Sequence, residues 1–400
     1  MGKVLISFLG KAQPSAPGKK AEYRRARYRF DGGIVEETSY FGLALTQQIQ
    51  PDRLVLLGTR GSMWDELFSD MDQGSDEFSE RLLELIDKAQ HEAVNEDLLV
   101  PLTPLLERRI GRPCVPRIIP YGRDPGEQIR ILEILAEAVQ SGDEVHIDLT
   151  HGFRILPMLG LLSALYLRTV RDTTLGGLYY GALDMKDRAT EEVPVLRLDG
   201  LLTLADWIGA VSRYDQSGDY GVFAPLLAQE DAAAGPPLKA LQAAAFHERT
   251  SHSALARDKL STFHQWFEGA TLSPVAQLFR APLAKRLSWW QGKERTTREK
   301  RLANDYLQRQ DYLRATIFAF EALVTEQCSL EKCAPIRFEN RKKAAENLRS
   351  KRAFMELEHL RNDMAHGVLS SEDVKKALDA EDKLRSRLKA LFETLGISNR

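Results

Sequence analysis

The sequence predicts an α/β domain followed by a mostly α-helical domain, and three observations support this fold class. In the first 200 residues, short β-rich apolar runs alternate with amphipathic helical segments, which is typical of a parallel, doubly wound sheet covered by helices on both faces. Past that point the β-character fades, and from Leu238 onward helical periodicity dominates with few turn signals. The chain of 400 residues is also too long for one ordinary core, so two or three domains are expected.

The expected strands of the first domain are apolar runs that end at glycine or turn residues. Val4–Leu9 ends at Gly10, and a strand at Tyr23–Phe30 is followed by the turn Asp31–Gly33. Further strands are expected at Arg53–Gly58, Val115–Tyr121, Glu144–Leu149 and Gly177–Leu183. Helices are expected at Tyr40–Ile49, Asp124–Gln140 and Ile155–Thr169, the second of which begins with a favourable N-cap and a proline at the first helical position.

A connector is expected between the two domains. Leu201–Ser212 has helical periodicity, whereas Asp231–Pro237, which is rich in alanine, glycine and proline, predicts a loop or linker. The sequence therefore divides into an α/β domain at 1–200, a helical connector at 201–237 and a helical domain at 238–400.

The composition excludes several classes of protein. Apolar residues make up 43% and charged residues 28%, with a net charge of −2, so any surface for nucleic acid must be local. The three cysteines, Cys114, Cys328 and Cys333, lack metal-ligand spacing and leave one unpaired, which indicates a reducing cytosol and argues against a disulfide scaffold or a zinc site. No metal is predicted. The N-terminus does not resemble a signal peptide, and no apolar run reaches the roughly 20 residues of a membrane span. We expect a cytoplasmic protein without a membrane partner.

Three strand ends of the first domain carry chemistry suited to a phosphate-containing ligand. They are Gly10–Lys11, Gly58–Ser62 with Trp64 nearby, and Thr150–Arg154, and in a parallel sheet such ends lie at the ligand-binding edge. Glycines let backbone N–H groups approach phosphate oxygens, while Lys11 and Arg154 supply charge. Trp64 or Phe153 could stack on a base. The alternative is that Gly10 and Gly58 belong to ordinary β–α turns and that His151 is a satisfied histidine near a helix start.

Neither G-x-G-x-x-G nor G-x-x-x-x-G-K-[ST] occurs in the sequence. A dinucleotide cofactor and an NTPase site are therefore not expected, and no other cofactor is predicted.

The second candidate site is Arg361-Asn362-Asp363-Met364-Ala365-His366, next to Gly367, where the helix is expected to stop. Asn362 and His366 are spaced i, i+4 and share a helix face, whereas Arg361 lies about 140° from His366. Cleavage of RNA by its own 2′-hydroxyl needs a base, an acid and a cation. Histidine suits both proton roles and arginine suits the third. One chain offers a single such histidine, and two facing copies offer the pair.

The string Asp148-Leu149-Thr150-His151-Gly152 resembles the DxTHG signature of CRISPR-associated proteins with a CARF domain, a Rossmann-like sensor of cyclic oligoadenylates. The resemblance covers about residues 1–200. It implies that Thr150, His151 and Gly152 line the ligand site, with further contributions from Gly10, Lys11, Thr59 and Ser62. Arg154 is a candidate ligand-binding residue because it supplies charge at the same strand end. It also implies a symmetric homodimer, since the ring-shaped ligand of such domains lies across a two-fold axis.

The string Arg-Asn-x-x-Ala-His at 361–366 resembles the motif of HEPN nucleases, whose domains are all-α. Together, the two resemblances imply a CARF–HEPN ribonuclease of the type III CRISPR response that functions as a dimer or higher oligomer. Such an enzyme, activated by a cyclic oligoadenylate, cuts single-stranded RNA without a metal and leaves a 2′,3′-cyclic phosphate and a 5′-hydroxyl. Arg361, Asn362 and His366 are then the catalytic residues.

Two alternatives remain open at this point. The first domain could itself cleave the cyclic ligand, with Thr150 or Ser62 holding a ligand 2′-hydroxyl. The helical domain could instead be a non-catalytic dimerisation or binding module in which the histidine is structural.

Basic residues cluster in two segments, at 285–301 and at 337–352. Each is either a solvated helix face or an electrostatic approach for single-stranded RNA. The neighbouring pair Trp289 and Trp290 is expected in a core or dimer contact rather than in stacking on bases.

Overall fold

The computed structural model describes residues 1–11, 25–68, 76–153, 155–231 and 234–398. The chain forms two compact units, Met1–Leu202 and Thr203–Arg400. The first unit is mixed α/β and the second is helical, so the predicted fold class is confirmed.

Eight strands of the first unit form one sheet among the described residues. The strands are β1 Lys3–Leu9, β2 Ala26–Arg29, β3 Val35–Thr38, β4 Arg53–Gly58, β5 Cys114–Ile118, β6 Glu144–Asp148, β7 Thr174–Gly181 and β8 Glu192–Arg197. The helices are α1 Phe41–Ile49, α2 Asp76–Gln90, α3 Glu96–Leu99, α4 Thr103–Ile110, α5 Pro125–Glu137 and α6 Ile155–Val170, and α7 Asp199–Ser217 begins at the end of this unit. Short 3-10 turns lie at Asp31–Gly33, Trp64–Phe68, Val100–Leu102 and Leu183–Met185.

The sheet has the strand order β3-β2-β8-β7-β6-β1-β4-β5. Strands β7, β6, β1, β4 and β5 are parallel, whereas β8 is antiparallel to β7 and β3 is antiparallel to β2. The sequence predicted the parallel part but not β3 or β8. Their charged residues, and Pro194 within β8, hide the apolar pattern of a strand. Part of the strand predicted at Tyr23–Phe30 lies outside the described residues.

Both faces of the sheet are covered because strand side chains alternate between two apolar clusters. In β4, Leu54 and Leu56 join the cluster that includes Phe41 of α1. Val55 and Leu57 join the opposite cluster, which is formed with α5 and α6. The central strands are thus buried on both sides, and the ends of the parallel strands are left to carry polar chemistry.

The second unit consists of helices around one core. Beyond α7, they are α8 Ala224–Glu230, α9 Gly235–Arg249, α10 Ser253–Gly269, α11 Pro274–Arg286, α12 Arg295–Gln308, α13 Tyr312–Leu330, α14 Phe338–Leu348, α15 Arg352–His366, α16 Glu372–Leu378 and α17 Glu381–Thr394, with 3-10 turns at Tyr220–Phe223 and Ser288–Gln291. Trp289 is buried in this core and Trp290 packs against it. No helix in the described part of the chain is long and apolar enough to span a membrane.

Residues 201–237, predicted as a connector, contribute buried side chains to the helical core. Trp207, Phe223 and Leu227 all belong to it. The predicted linker Asp231–Pro237 overlaps the start of α9 at Gly235, with prolines in its first turn. Proline is favoured there because its missing N–H would have no helical partner, so a Gly-Pro-Pro run begins a helix in this chain.

Gly160 and Gly209 offer a matched test of how closely α6 approaches the sheet. A methyl group at Gly160 would overlap Leu149 Cδ2 and lie 3.5 Å from Phe8 Cε2, whereas nothing lies within 4 Å of one at Gly209. We expect Gly160→Ala to lower the free energy of unfolding of its unit by about 1–3 kcal/mol through overpacking. Gly209→Ala should stabilise its own helix by up to about 1 kcal/mol. Differential scanning calorimetry of both variants checks this, and equal effects would contradict the close packing.

Candidate functional site

Asp148, at the end of β6, is buried and bonded at the middle of the sheet. Its Oδ2 accepts a hydrogen bond from Ser7 Oγ at 2.5 Å, and its Oδ1 accepts one from the Thr150 N–H at 2.8 Å. Ser7 Oγ is also 2.6 Å from Tyr40 Oη. Burial raises the pKa of Asp148 to about 6, against the lowering effect of these hydrogen bonds. The carboxyl group therefore joins β1, β6 and the loop after β6.

Thr150 and His151 extend this bonded network to neighbouring elements. Thr150 Oγ1 accepts a hydrogen bond from the Gly181 N–H at 2.8 Å, which ties the loop to β7. His151 Nε2 lies 3.2 Å from the backbone nitrogen of Phe41, the first residue of α1, and accepts its N–H. The imidazole also packs against the Tyr40 ring at 5.3 Å. His151 thus satisfies a free N–H at the start of α1.

This role requires a neutral imidazole. A protonated ring would lose its acceptor and place a positive charge at the positive end of a helix. Burial lowers the pKa of His151 to about 4. At neutral pH, His151 consequently supplies shape and hydrogen bonding to the edge, and no positive charge.

Gly152 and Phe153 complete the loop after β6. Gly152 has φ +108°, and a side chain there would meet Leu156 Cδ1 at 2.6 Å, so the position needs glycine. The Phe153 side chain is 38% exposed and its ring lies 5.6 Å from the Tyr121 ring. Arg123 Cζ stands 4.4 Å from the centre of that Tyr121 ring. Arg154 lies outside the described residues.

Tyr121 and Arg123 were not among the predicted site residues. The signal was present, because an aromatic and a cation follow the fifth strand at its carboxyl end. The strand expected at Val115–Tyr121 ends at Ile118, which leaves Tyr121 in the loop after it.

In the loop after β4, the hydroxyl groups of Thr59 and Ser62, both predicted ligand-binding residues, are buried within the loop. Ser62 Oγ donates to the Leu9 carbonyl at 2.7 Å and accepts the Thr59 N–H at 2.9 Å. Thr59 and Ser62 are only 2% and 1% exposed. Trp64 is fully buried and donates its Nε1–H to the Thr59 carbonyl, so it does not stack on a ligand. The Met63 N–H bonds the Gly10 carbonyl and joins this loop to the end of β1.

Lys11 is the exposed cation at this edge. Its Nζ lies 3.7 Å from Glu92 Oε1, and both side chains are about half exposed, so the pair contributes little to stability. Lys11 also lines a cavity of about 180 Å³ between the loop at 61–65 and α2. Of the predicted cations, Lys11 is the one that the described residues place at the ligand edge.

The candidate motif of the second unit lies at the end of α15, which stops at Gly367 with φ +67° as expected of a left-handed C-cap. Arg361 donates two hydrogen bonds to Asn362 Oδ1, from Nε at 3.1 Å and Nη2 at 2.8 Å. Its Cζ stands 3.9 Å from the centre of the Phe320 ring on α13. Burial lowers the pKa of Arg361, and the carboxylates of Glu358 and Glu321 oppose this.

His366 occupies the last turn of α15 and is exposed. Within the described ranges, its imidazole makes no hydrogen bond or ion pair. Asp363, which was not among the predicted site residues, is buried and accepts the N–H and the hydroxyl of Ser370 at 2.6 and 2.8 Å. These two hydrogen bonds fix the chain that follows α15. The imidazole of His366 is left exposed beside it. Within the described part, no group of three or more His, Cys, Asp or Glu residues could hold a metal ion.

Comparison with known proteins gives matches to CRISPR-associated proteins. Residues 4–183 match the sequence profile of the family described as "CRISPR system endoribonuclease Csx1, CARF domain". The chain is 29% identical over 250 residues to a CRISPR-associated protein of Methanocaldococcus jannaschii, a match that covers 58% of this chain and 39% of that protein. The chain thus spans about two fifths of the curated relative that it matches.

Among solved structures, Enterococcus italicus Csm6 bound to cyclic hexa-2′-fluoro-hexa-dAMP aligns over 98% of this chain and 95% of that chain. The TM-score is 0.33 and the sequence identity 13%.

Asp148 and His151 change the stability of the first unit with pH in opposite directions. The pKa of His151 is about 4 in the folded chain against 6.5 when unfolded. Its contribution is complete above pH 6.5 and is lost as the pH falls towards 4, because only the unfolded chain binds the proton in this window. The pKa of Asp148 is about 6 against 3.8, so its contribution is present below pH 3.8 and is lost as the pH rises through 6.

We therefore expect opposite pH profiles from two variants. His151→Gln keeps an acceptor for the Phe41 N–H but does not titrate, so its free energy of unfolding should rise, relative to wild type, as the pH falls from 6.5 to 4. Asp148→Asn should become relatively less stable over the same range. Urea denaturation at several pH values measures both, and two profiles parallel to wild type would contradict the assigned protonation states.

Proposed function

We propose that this protein, whose residues 4–183 form a CARF domain, is a ribonuclease of type III CRISPR antiviral defence that a cyclic oligoadenylate activates. It acts in the cytoplasm as a homodimer or larger oligomer and cuts single-stranded RNA without a metal. The observation that carries the proposal is the combination of two features in one chain. Residues 4–183 match the CARF domain family, and in the helical unit α15 ends with Arg361, Asn362 and an exposed His366.

The ligand binds at the carboxyl edge of the parallel strands. Lys11 provides charge for phosphate, and the turn at Gly152 lets the ligand approach the backbone closely. Phe153 and Tyr121 offer aromatic faces for a base. Thr59, Ser62 and His151 act by holding the loops in position, because their polar atoms bond to neighbouring backbone.

The cleavage site is built from two copies of α15. One His366 removes the proton from the RNA 2′-hydroxyl, which attacks the adjacent phosphorus, and the His366 of the second copy protonates the departing 5′-oxygen. The products are a 2′,3′-cyclic phosphate and a 5′-hydroxyl. Arg361 stabilises the charge on the phosphate oxygens, and Asn362 orients the guanidinium through its two hydrogen bonds.

Specific contacts weigh against the two alternatives. Cleavage of the cyclic ligand by the first unit would need Thr150 or Ser62 to hold a ligand hydroxyl, yet both side-chain oxygens are engaged with backbone groups. A structural histidine would be packed or bonded, whereas His366 is exposed.

Replacing His366 should abolish RNA cleavage. We expect His366→Ala to cut at least about 100-fold more slowly, because it loses acid–base catalysis, while its affinity for the cyclic oligoadenylate stays unchanged. The assay uses fluorescent RNA with EDTA present, and titrates cyclic tetra-adenylate and hexa-adenylate separately. His359→Ala, which changes an exposed residue of the same helix, is the matched control and should cut like wild type. Full activity of His366→Ala would refute the assignment.

The same assay examines the pairing of the two copies. When His366→Ala chains are mixed with wild type at constant total protein, activity should fall with the square of the wild-type fraction. A linear fall would show that each copy cuts alone.

Changing the charge at the ligand edge should alter activator affinity in both directions. Lys11→Gln removes a cation from the phosphate site and should weaken binding of the cyclic oligoadenylate by about 10-fold. Glu92→Gln removes the carboxylate that Lys11 faces at 3.7 Å and should strengthen binding. Isothermal titration calorimetry measures both affinities, and unchanged binding in both variants would place the ligand elsewhere.

A further inference from the structure

Most of the cations in the basic segment at 285–301 are engaged by bonds within the protein. Arg286 pairs with Asp215 at 2.7 Å, Arg295 with Glu299 at 2.7 Å, and Lys300 with Glu326 at 3.0 Å. The guanidinium groups of Arg298 and Arg301 donate to the backbone carbonyls of Gly292 and Ser288. Lys285 and Lys293 are exposed, and no described carboxylate lies within 4.0 Å of either ammonium group. Most of this charge is therefore structural.

The second basic segment keeps more of its charge free. Arg341 pairs with Glu321, and Arg349 pairs with Glu358 at 2.8 Å. Four exposed cations have no carboxylate of the described residues within 4.0 Å, and they are Arg337, Lys342, Lys343 and Lys351. Exposed acids in the segment are limited to Glu339 and Glu346, so the outward charge is positive.

Large apolar side chains are held in solvent beside these cations. Ile336 is 85% exposed and Phe338, the first residue of α14, is 75% exposed. The turn that carries them is bonded in place, because Arg341 Nη1 donates to the Pro335 carbonyl at 3.1 Å and Asn340 Nδ2 donates to the Ala334 carbonyl at 3.0 Å. An exposed aromatic ring on a bonded turn among cations is the arrangement that binds single-stranded nucleic acid by stacking and charge.

Ion pairs connect this surface to the helices that hold the candidate catalytic arginine. On α13, the Phe320 ring stacks against the guanidinium of Arg361, and the adjacent Glu321 forms an ion pair with Arg341 of α14. On α15, Glu358 lies about one turn before Arg361 and binds Arg349. Two ion pairs thus fix α14 next to the part of α13 and α15 that positions Arg361.

We infer that Ile336, Arg337, Phe338, Lys342, Lys343 and Lys351, the α14 surface, dock the single-stranded RNA substrate and lead it to Arg361 and His366. Phe338 stacks on a base and the cations contact phosphates. The inference rests on the proposed ribonuclease function. A second copy of the chain is the less favourable occupant, because a two-fold contact would place the same unpaired cations opposite one another.

The test measures RNA binding by the 400-residue chain carrying His366→Ala, in the presence of saturating cyclic oligoadenylate. The fluorescence anisotropy of a labelled single-stranded RNA reports the binding. Phe338→Ala should weaken binding by about 10-fold, and Phe338→Trp should restore it. Lys342→Gln with Lys343→Gln should reduce the slope of log affinity against log salt by about 1.4. Lys285→Gln with Lys293→Gln, two equally exposed lysines of the other basic segment, should leave affinity and slope unchanged.

The outcomes separate this inference from the proposed function. If the wild-type chain neither binds nor cuts RNA, the ribonuclease proposal fails. If RNA is bound but the α14 variants match the Lys285 and Lys293 control, the docking inference alone is overturned. If Phe338→Ala changes the mass of the assembly by light scattering while RNA affinity is unchanged, the surface is a contact between copies, and the inference is equally overturned. Thermal unfolding should be unchanged in all variants, because these side chains are exposed.

Discussion

The arrangement of the first unit depends on one buried carboxyl group. Asp148 bonds Ser7 of β1 and the Thr150 N–H of the loop after β6, and Ser7 in turn meets Tyr40 just before α1. Burying a carboxyl group costs free energy unless its oxygens are bonded. Both oxygens of Asp148 are bonded, so the burial and these hydrogen bonds depend on one another. The same bonds fix where the backbone turns at the ligand edge. Asp148, the first residue of the motif that resembles a binding signature, therefore stabilises the loop after β6 from inside the sheet.

The sequence predicted the fold class and the polar residues that follow the parallel strands, but not which of their side chains turn into the protein interior. Strand ends and glycines were visible as local patterns. The partner of Asp148 is Ser7, which lies far away in the sequence, and the partner of His151 is a backbone N–H at the start of α1. Whether a polar residue at a strand end faces inward depends on such distant partners, which single-sequence patterns do not contain. Strand β8 was missed for a local reason, since Pro194 and charged residues mask its periodicity.

The helical unit shows the same division between local and distant information. Helical periodicity placed Arg361 well away from the face shared by Asn362 and His366, yet the long arginine side chain reaches back to Asn362 Oδ1. Stacking on Phe320 of α13 holds it there, and the sequence gives no sign of that pairing. The two basic segments also look alike as sequence. Only the fold shows that acids such as Asp215 and Glu326 neutralise the first.

The end of α15 has the features expected of half a site. His366 is exposed, and the chain that follows carries the exposed apolar residues Val368 and Leu369. This segment is not loose, because Asp363 binds Ser370 through two hydrogen bonds and fixes the path between them. An anchored apolar strip beside an unbonded imidazole is well suited to burial against a second copy, where apolar contact supplies free energy and a second imidazole supplies the missing proton carrier. Under the proposed function, the cyclic oligoadenylate would need only to shift the equilibrium between two paired arrangements. The size of that shift would be limited by how much more tightly the ligand binds one of them.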